Sequence, residues 1–406
     1  MSSRQVVVVG AGPAGAVTAL FAARSGLDVV LIDRRTFPRD KICGDAIARK
    51  SLSVLRELDI SLDDAGGVPR EPIGRAVLSS PAGHRIEVDL STRDEPAPHL
   101  VCRREIFDDA LVRAARTRLD VREHVAVTDV LREGNRVCGV VCRENGVDRE
   151  IRADVVVGAD GFNSVVARKL GIYRHDPRWY VATRGYYRGL DVAPNTVEVH
   201  FVKETLPGFL WVFPTGDGIA NVGLGLVHRD IKRRRVRLRD VHEAVLQLPR
   251  FRERFAKTER IGEVHGWNLP TPDFSRTLSG DGFLLAGDAA GLVDPFSGEG
   301  IGNAMVSGKV AAELCEEIIR GEHAAHEYTA RLRSAIDARE IHLHYRLREL
   351  ARHAGLVDML VGRAAAHRDV LEWMRRMTAE EENVARKRAL LSPLTYARLW
   401  FRRTGN

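Results

Sequence analysis

The chain is poor in features that would place it in a membrane, a secreted disulfide scaffold or a metal protein. None of its 406 residues falls in a run of eighteen apolar positions, so no transmembrane helix is expected. The opening "MSSRQVVVVGAG" has only four valines before its glycines, too few for a signal-peptide core, and no cleavage pattern follows. A cytoplasmic location is therefore expected. There are five cysteines, Cys43, Cys102, Cys138, Cys142 and Cys315, an odd number at irregular spacing, which excludes a disulfide framework. Cys138 and Cys142 stand four apart with no second ligand pair behind them, so they read as strand thiols and no metal is expected. Repeats and low-complexity linkers are also lacking. Excess charge is missing from most of the chain: the whole net charge of +7 falls within residues 331–406, which hold 16 basic and 9 acidic residues. No recognition motif accompanies that charge, so nucleic acid is not an expected partner.

What remains is a globular composition, 44% apolar and 29% charged, at a length that suits two domains. "QVVVVGAGPAGAVTALFAARSGLDVVLIDRR" reads as strand, Gly turn, helix and strand, a βαβ unit at the start of the chain. Helices are expected near 47–58, 104–118, 240–255 and 300–321, with short alternating strands near 75–79 and 85–88. Residues 120–160 read as strands broken by "GN" and "NG" turns, and 179–230 as an antiparallel sheet. Strands resembling the first unit come from 5–33, 120–160 and 283–288, so the nucleotide domain is discontinuous. The expected division is 1–72, 100–175 and 275–325 for that domain, 73–99 and 176–274 for a substrate domain, and 326–406 for a helical C-terminal region with a break at Ser392–Pro393. The fold class is α/β: a Rossmann-like nucleotide domain with an inserted, mostly antiparallel sheet.

Gly10-Ala11-Gly12-Pro13-Ala14-Gly15 fits G-x-G-x-x-G between a strand and a helix. Gly10 permits the turn, Gly12 lets a pyrophosphate approach the backbone, and Gly15 lets helix and strand pack. Asp33 ends the second strand, where a carboxylate can hold ribose hydroxyls. Two further Gly–Asp clusters favour FAD over NAD. "VVVGADGFNS" puts Asp160 and Gly161 at a strand end. "FLLAGDAAGLVDPFSGEGIGNAM" puts Asp288 at another, where it can accept from a ribityl hydroxyl, and its "SGEGIGNA" turn offers N–H groups around Gly300 and Ile301 to the N1/O2 edge of a flavin. Phe209, Trp211 and Phe213 share strand parity and build an apolar wall; a Pro follows, and Gly223 and Gly225 allow close approach of something flat. The plain alternative is an ordinary sheet core.

The set GAGPAG, GADGxxS and GDAAGxxxPxxGEGI resembles single-FAD oxidoreductases of the para-hydroxybenzoate hydroxylase fold, over roughly residues 5–320. Within that fold, "FPRDKICGD" is similar to the P-x-x-K-x-C-G segment of geranylgeranyl reductases, and "FLWVFPTGDGIANVGLG" to their Y-x-W-x-F-P and G-x-G pattern, with Phe209 in place of Tyr. The resemblance implies FAD as cofactor, and it adds Ala14, Arg34, Val125, Pro295 and, from "RREIFDDAL", Arg104 to the cofactor-binding set. It places Cys43 against the isoalloxazine, where a thiol can relay a proton; a small buried hydrophobe is the plain reading. Arg39 and Lys41 are close enough in sequence to supply charge to that thiol.

The implied activity is reduction of C=C bonds in a prenyl chain carried by a lipid, a diphosphate or a quinone. Hydride comes from FAD and the proton from Cys43, water or Asp45. The reductant is NADPH or a ferredoxin-like carrier. Rival readings are a flavin monooxygenase of the same fold, a halogenase, and a non-catalytic flavoprotein that docks on a partner. "LWVFPT" and "CGD" stand where a halogenase of this fold usually has W-x-W-x-I-P and a Lys-bearing turn. The basic helices after residue 340, ending in Trp400, Phe401, Arg402 and Arg403, fit either a peripheral contact with an anionic membrane or a helical cap over the substrate domain.

Overall fold

A computed structural model describes residues 3–62, 69–92 and 95–378. The chain divides into two compact units. One comprises 1–69, 102–180 and 267–338; the other comprises 70–101, 181–266 and 339–406.

The first unit is built on an eight-stranded sheet. Strand Ser3–Val9 lies at its centre, parallel to Val29–Ile32 on one side and Val147–Gly158 on the other, with Val6 opposite Val29 and Val155. Phe283–Leu285 continues the parallel set beyond Val147–Gly158. Val6, Val7 and Val8 are wholly buried, as strands covered on both faces require, which is why this segment reads as a continuous apolar run. Strands Ala126–Glu133 and Arg136–Glu144 turn back on Val147–Gly158 as an antiparallel meander. Cys138 and Cys142 sit in that meander, and all five cysteines are free thiols. Helix Pro13–Arg24 packs closely on helix Ile301–Ile319. A Cβ at Gly308 would come 2.4 Å from the Ala14 carbonyl oxygen, so glycine lets the two helix backbones meet.

The second unit carries a seven-stranded sheet in the order Glu259–Leu269, Tyr180–Arg188, Ile219–Val227, Leu210–Pro214, Thr196–His200, Arg75–Ser79, Arg85–Asp89. Neighbouring pairs around Leu210–Pro214 are antiparallel, as the alternating pattern suggests. Thr196–His200, however, runs parallel to Arg75–Ser79. Helices Leu238–Leu246 and Pro249–Phe255 cover one face, and Pro249 divides what the sequence suggests is one helix. Leu210, Val212, Val222 and Leu224 pack there with Val245, Leu246, Phe251 and Phe255. Helices Ala338–Leu350, Ala354–Ala366 and Arg368–Thr378 follow. Asp358 accepts the Ala82 N–H at 2.6 Å, and Arg352 pairs with the buried Asp230 at 2.8 Å. The expected break at Ser392–Pro393 and the aromatic pair Trp400–Phe401 lie outside the described residues. Among the described residues no helix is long and apolar enough to cross a membrane.

Candidate functional site

The three fingerprint glycines of the first unit do different work. Gly10 has φ +97°, and a Cβ there would lie 2.5 Å from the Ala159 carbonyl oxygen. At Gly15 a Cβ would fall 1.8 Å from the Gly10 oxygen. Gly12, the N-cap of helix Pro13–Arg24, is different: its Cβ would meet only an Arg39 nitrogen, 3.8 Å away. The space over Gly12 is a cradle beside a helix N-terminus and a guanidinium, which suits a pyrophosphate. Asp33 ties this loop down, accepting the Ala11 N–H at 2.7 Å and the Arg35 N–H at 2.8 Å. The Val125 N–H donates to the Asp33 carbonyl, and Arg34 is exposed beside it.

The turn Gly287–Ala289 presents Asp288, whose half-buried carboxylate makes no hydrogen bond or ion pair within the described residues. It is therefore available to a ribityl hydroxyl. Asp160 does something the sequence did not disclose. Its Oδ2 accepts the N–H groups of Val165 and Val166 at 2.5 and 3.3 Å, capping helix Val165–Lys169 together with Ser164. Burial pushes the Asp160 carboxyl up, and its buried Oδ1 has no hydrogen-bond partner. Gly161 supplies the φ of +79° that this turn needs.

Gly300 caps helix Ile301–Ile319, after a turn in which Asp294 Oδ1 accepts the N–H groups of Phe296 and Ser297 at 2.9 and 2.8 Å and Pro295 is buried. The helix start is not a row of free N–H groups. Glu299 accepts the Gly302 N–H at 2.6 Å and pairs with Lys50 at 3.1 Å. Lys50 in turn donates to Asn303 at 3.0 Å.

Cys43 is half-buried in the loop that follows the second strand. Burial pushes its thiol up and the Asp45 carboxylate adds to this, while the Arg104 charge, a hydrogen bond from the Asp45 backbone and a hydrogen bond with Arg104 oppose them. The charge beside the thiol thus comes chiefly from Arg104 rather than from the neighbouring Arg39 and Lys41, and the net result is a protonated thiol at neutral pH. Arg104 itself is 6% exposed and held by both oxygens of Asp108, at 2.7 and 2.8 Å. Its pKa is raised: burial alone would lower it, but Asp108 and Cys43 outweigh burial. Arg39 binds the same carboxylate at 2.8 Å. Asp45 is buried with φ +64°, and its carbonyl accepts the Cys102 N–H at 2.9 Å. Lys41 stands 3.9 Å over the Trp267 ring, and burial pushes it down to about 8 although Asp288 pulls it up.

In the second unit, Phe209, Trp211 and Phe213 occupy the sheet face opposite the one that Leu210 and Val212 bury under the helices. Ring centroids are 6.4 Å apart from Phe209 to Trp211 and 6.2 Å from Trp211 to Phe213. Phe201 adds a fourth ring, 6.0 Å from Phe209. The Trp211 indole N–H donates to buried Asn221 at 2.9 Å, so the wall's one polar atom is already satisfied. Gly223 pairs with Trp211 across the strands, and a Cβ there would stand 2.1 Å from the indole. The flat group that this glycine admits is the Trp211 ring itself.

The profile of the FAD binding domain family matches residues 3–334. The chain is 33% identical over 319 residues to the digeranylgeranylglycerophospholipid reductase of Methanosarcina acetivorans, spanning 77% of this chain and 75% of that one. It is 32% identical to the menaquinone reductase of Mycobacterium tuberculosis over 77% of each chain. The chain belongs to the geranylgeranyl reductase family of FAD-dependent oxidoreductases. Among solved structures, a geranylgeranyl bacteriochlorophyll reductase-like protein from Thermoplasma acidophilum superposes with a TM-score of 0.80 at 25% identity, covering 97% of this chain and all of that one. A flavin-dependent brominase superposes at 0.77 with 22% identity, a likeness of fold alone.

The family's cofactor fits what is present. The cradle over Gly12, the uncommitted Asp288 carboxylate and the orphaned Asp160 oxygen are places where a dinucleotide carrying a ribityl chain finds partners. Two contributors, Glu299 and Phe201, escaped the sequence reading, and a third, Lys41, was read only in part. Glu299 had a signal, since an acid just before a helix start complements its dipole. Phe201 had none, because it stands outside the motif's strand. Lys41 was legible as a charge, but its seat on Trp267 depends on residues more than two hundred positions apart.

Proposed function

We propose that this family member reduces carbon–carbon double bonds of a prenyl chain borne by a lipid, a diphosphate or a quinone. The observation that carries the reading is Cys43: a thiol kept protonated by burial, with Arg104 hydrogen-bonded to it. Reduction of an alkene needs a hydride at one carbon and a proton at the other. FAD, when bound and reduced, supplies the hydride. Cys43 gives the proton, and Arg104 stabilises the thiolate that is left until solvent restores it. Asp108 holds Arg104 in place and does not itself deliver the proton. Asp45 keeps the thiol from ionising early by adding negative charge to its surroundings. Gly10, Gly12, Ala14, Gly15, Asp33 and Asp288 orient the dinucleotide, with Asp160 and the Gly300–Ile301 helix start along its flavin end.

The aromatic row of Phe209, Trp211 and Phe213 receives the prenyl chain. Its polar atom is spent on Asn221, so it offers hydrocarbon nothing but ring faces and edges. That surface also favours a long apolar substrate over a small polar aromatic, which separates this reading from the monooxygenase one. The relatives named as acting on digeranylgeranylglycerophospholipid and menaquinone support the same substrate class. Electrons reach FAD from NADPH or a ferredoxin-like carrier, and anaerobic reduction by each in turn distinguishes them. The test is to reduce the FAD-loaded protein under argon and add geranylgeranyl diphosphate or menaquinone. Reoxidation of the flavin by either substrate is expected. A flavin that stays reduced with both and is reoxidised only by oxygen, with hydroxylation of an aromatic, would move the assignment to a monooxygenase.

A further inference from the structure

The loop that carries Cys43 also carries a cation that forms no ion pair among the described residues. Lys41 Nζ lies over the Trp267 ring at 3.9 Å, and among the described residues no carboxylate forms an ion pair with it. The two neighbouring guanidinium groups are in a different position: Arg39 and Arg104 are both committed to Asp108, at 2.8 and 2.7 Å. The charged and titratable groups that act on Lys41 are Asp288 from the Gly287–Ala289 turn, Arg104 from its helix, and Cys43 and Arg39 from its own loop. Only Asp288 and Cys43 favour the ammonium form. The cation is half-buried, and its burial outweighs them, holding it down to about 8. A desolvated ammonium with no carboxylate in ion-pair contact is costly. Its persistence within electrostatic reach of Asp288 and Cys43 points to an anion that completes it.

We propose that Lys41 is the charge partner of the reduced flavin, offsetting the negative charge that the ring acquires with two electrons and one proton and so raising the cofactor's reduction potential. The proposal rests on the flavin-dependent reading of the site. It gives the Lys-x-Cys spacing a division of labour: Cys43 handles a proton, and Lys41 supplies a fixed positive charge in a poorly solvated place, where it acts strongly. The Trp267 face keeps the ammonium from folding away into solvent. Linkage requires the reciprocal effect, so reduction of the flavin raises the Lys41 pKa.

The test is the midpoint potential of the full-length, FAD-loaded protein, reduced stepwise with dithionite under argon beside a redox dye, from about pH 6 to about pH 10. Lys41→Met keeps an apolar stem on Trp267 and loses the charge; Lys41→Arg keeps the charge and does not titrate in this range. At neutral pH the Met variant is expected to favour the oxidised flavin at least tenfold over wild type, about 30 mV for a two-electron couple. As pH rises past the Lys41 pKa, the wild-type potential should converge on that of the Met variant, while the Arg variant stays above both. If the Met variant does not fold, the comparison of wild type with the Arg variant across pH still decides. Equal potentials throughout, with FAD bound, overturn this inference alone. A wild-type protein that takes up no FAD overturns the flavin reading and this inference with it.

Discussion

Trp211 and Gly223 are cross-strand partners, and the indole lies so close over the glycine that a Cβ would stand 2.1 Å from its Cζ2. A second obstacle is the Thr183 carbonyl oxygen, 2.2 Å from the same point. Gly223→Ala must therefore displace Trp211, breaking its bond to Asn221 and buckling the aromatic row. Overpacking of this kind costs about 1–3 kcal/mol. The denaturant midpoint of the variant should fall, and affinity for a prenyl diphosphate should fall with it. An unchanged midpoint would mean that the indole is not seated on this glycine.

The fingerprint glycines separate folding from cofactor binding. At Gly10 both φ and the Ala159 oxygen forbid a side chain, so Gly10→Ala should destabilise the protein whether or not FAD is present. At Gly12 the backbone suits any residue and a Cβ makes only an ordinary contact with an Arg39 nitrogen, 3.8 Å away. Gly12→Val should therefore leave the apoprotein within about 1 kcal/mol of wild type and abolish FAD binding, because the side chain fills the pyrophosphate cradle. Thermal melts of apoprotein and the flavin content of purified protein give the two readouts. A yellow Gly12→Val protein would show that the cradle lies elsewhere.

Cys43 is expected to behave as an acid, not as a nucleophile. Its raised pKa predicts slow alkylation by iodoacetamide at neutral pH, with a rate that keeps rising with pH through the range in which an ordinary thiol has levelled off. Arg104→Met should push the thiol higher still, since Arg104 is the chief group that lowers it. Cys43→Ala should keep FAD yet lose at least tenfold in prenyl reduction. Fast alkylation at pH 7, followed by mass spectrometry of the Cys43 peptide, would contradict a protonated thiol.

His242 makes stability depend on pH. It is wholly buried, with Nδ1 3.0 Å from Thr183 Oγ1 and Nε2 3.1 Å from the Tyr187 hydroxyl. Burial, with help from Arg260, pushes it down to about 4. The folded protein therefore holds the neutral ring, while the unfolded chain takes up a proton below about 6.5. Stability is full above that value and is lost as pH falls from about 6.5 towards 4, by up to about 3 kcal/mol. In His242→Gln that fraction of the acid sensitivity should vanish from urea titrations at pH 7 and pH 4.5. An identical loss in the variant would put the sensitivity in groups other than His242; Glu198, held at about 2 by His200 and Arg254 against its burial, adds its own loss only below about pH 4.5.

Much of the flavin side was legible because its signals are local. Gly10, Gly12, Gly15 and Asp33 are fixed by a turn whose geometry dictates residue type. Phe209, Trp211 and Phe213 follow from strand parity alone. The features that escaped depend on partners distant in sequence or on competition for a group. Asp160 was legible as a polar group at a strand end, but not as the cap of the five-residue helix that takes up its Oδ2. The helix start at Gly300 looked open until Glu299 folded back on Gly302. The parallel pairing of Thr196–His200 with Arg75–Ser79 was invisible, because parallel and antiparallel strands share the same side-chain period. Cys43 was legible as a thiol in the loop after the second strand; the direction of its pKa was not, because burial, Arg104 and Asp45 had to be weighed together.

The most direct test of prenyl reduction follows the hydrogens. The FAD-loaded protein, reduced with dithionite under argon, is given geranylgeranyl diphosphate in ordinary water and then in deuterium oxide, and the product is weighed by mass spectrometry. The account predicts a gain of two hydrogens per reduced double bond in ordinary water and of two deuterons in deuterium oxide, since the N–H of a reduced flavin exchanges with solvent, and loss of turnover in Cys43→Ala with FAD retained. A substrate of unchanged mass after the flavin has been reoxidised, or full turnover in Cys43→Ala, would contradict it.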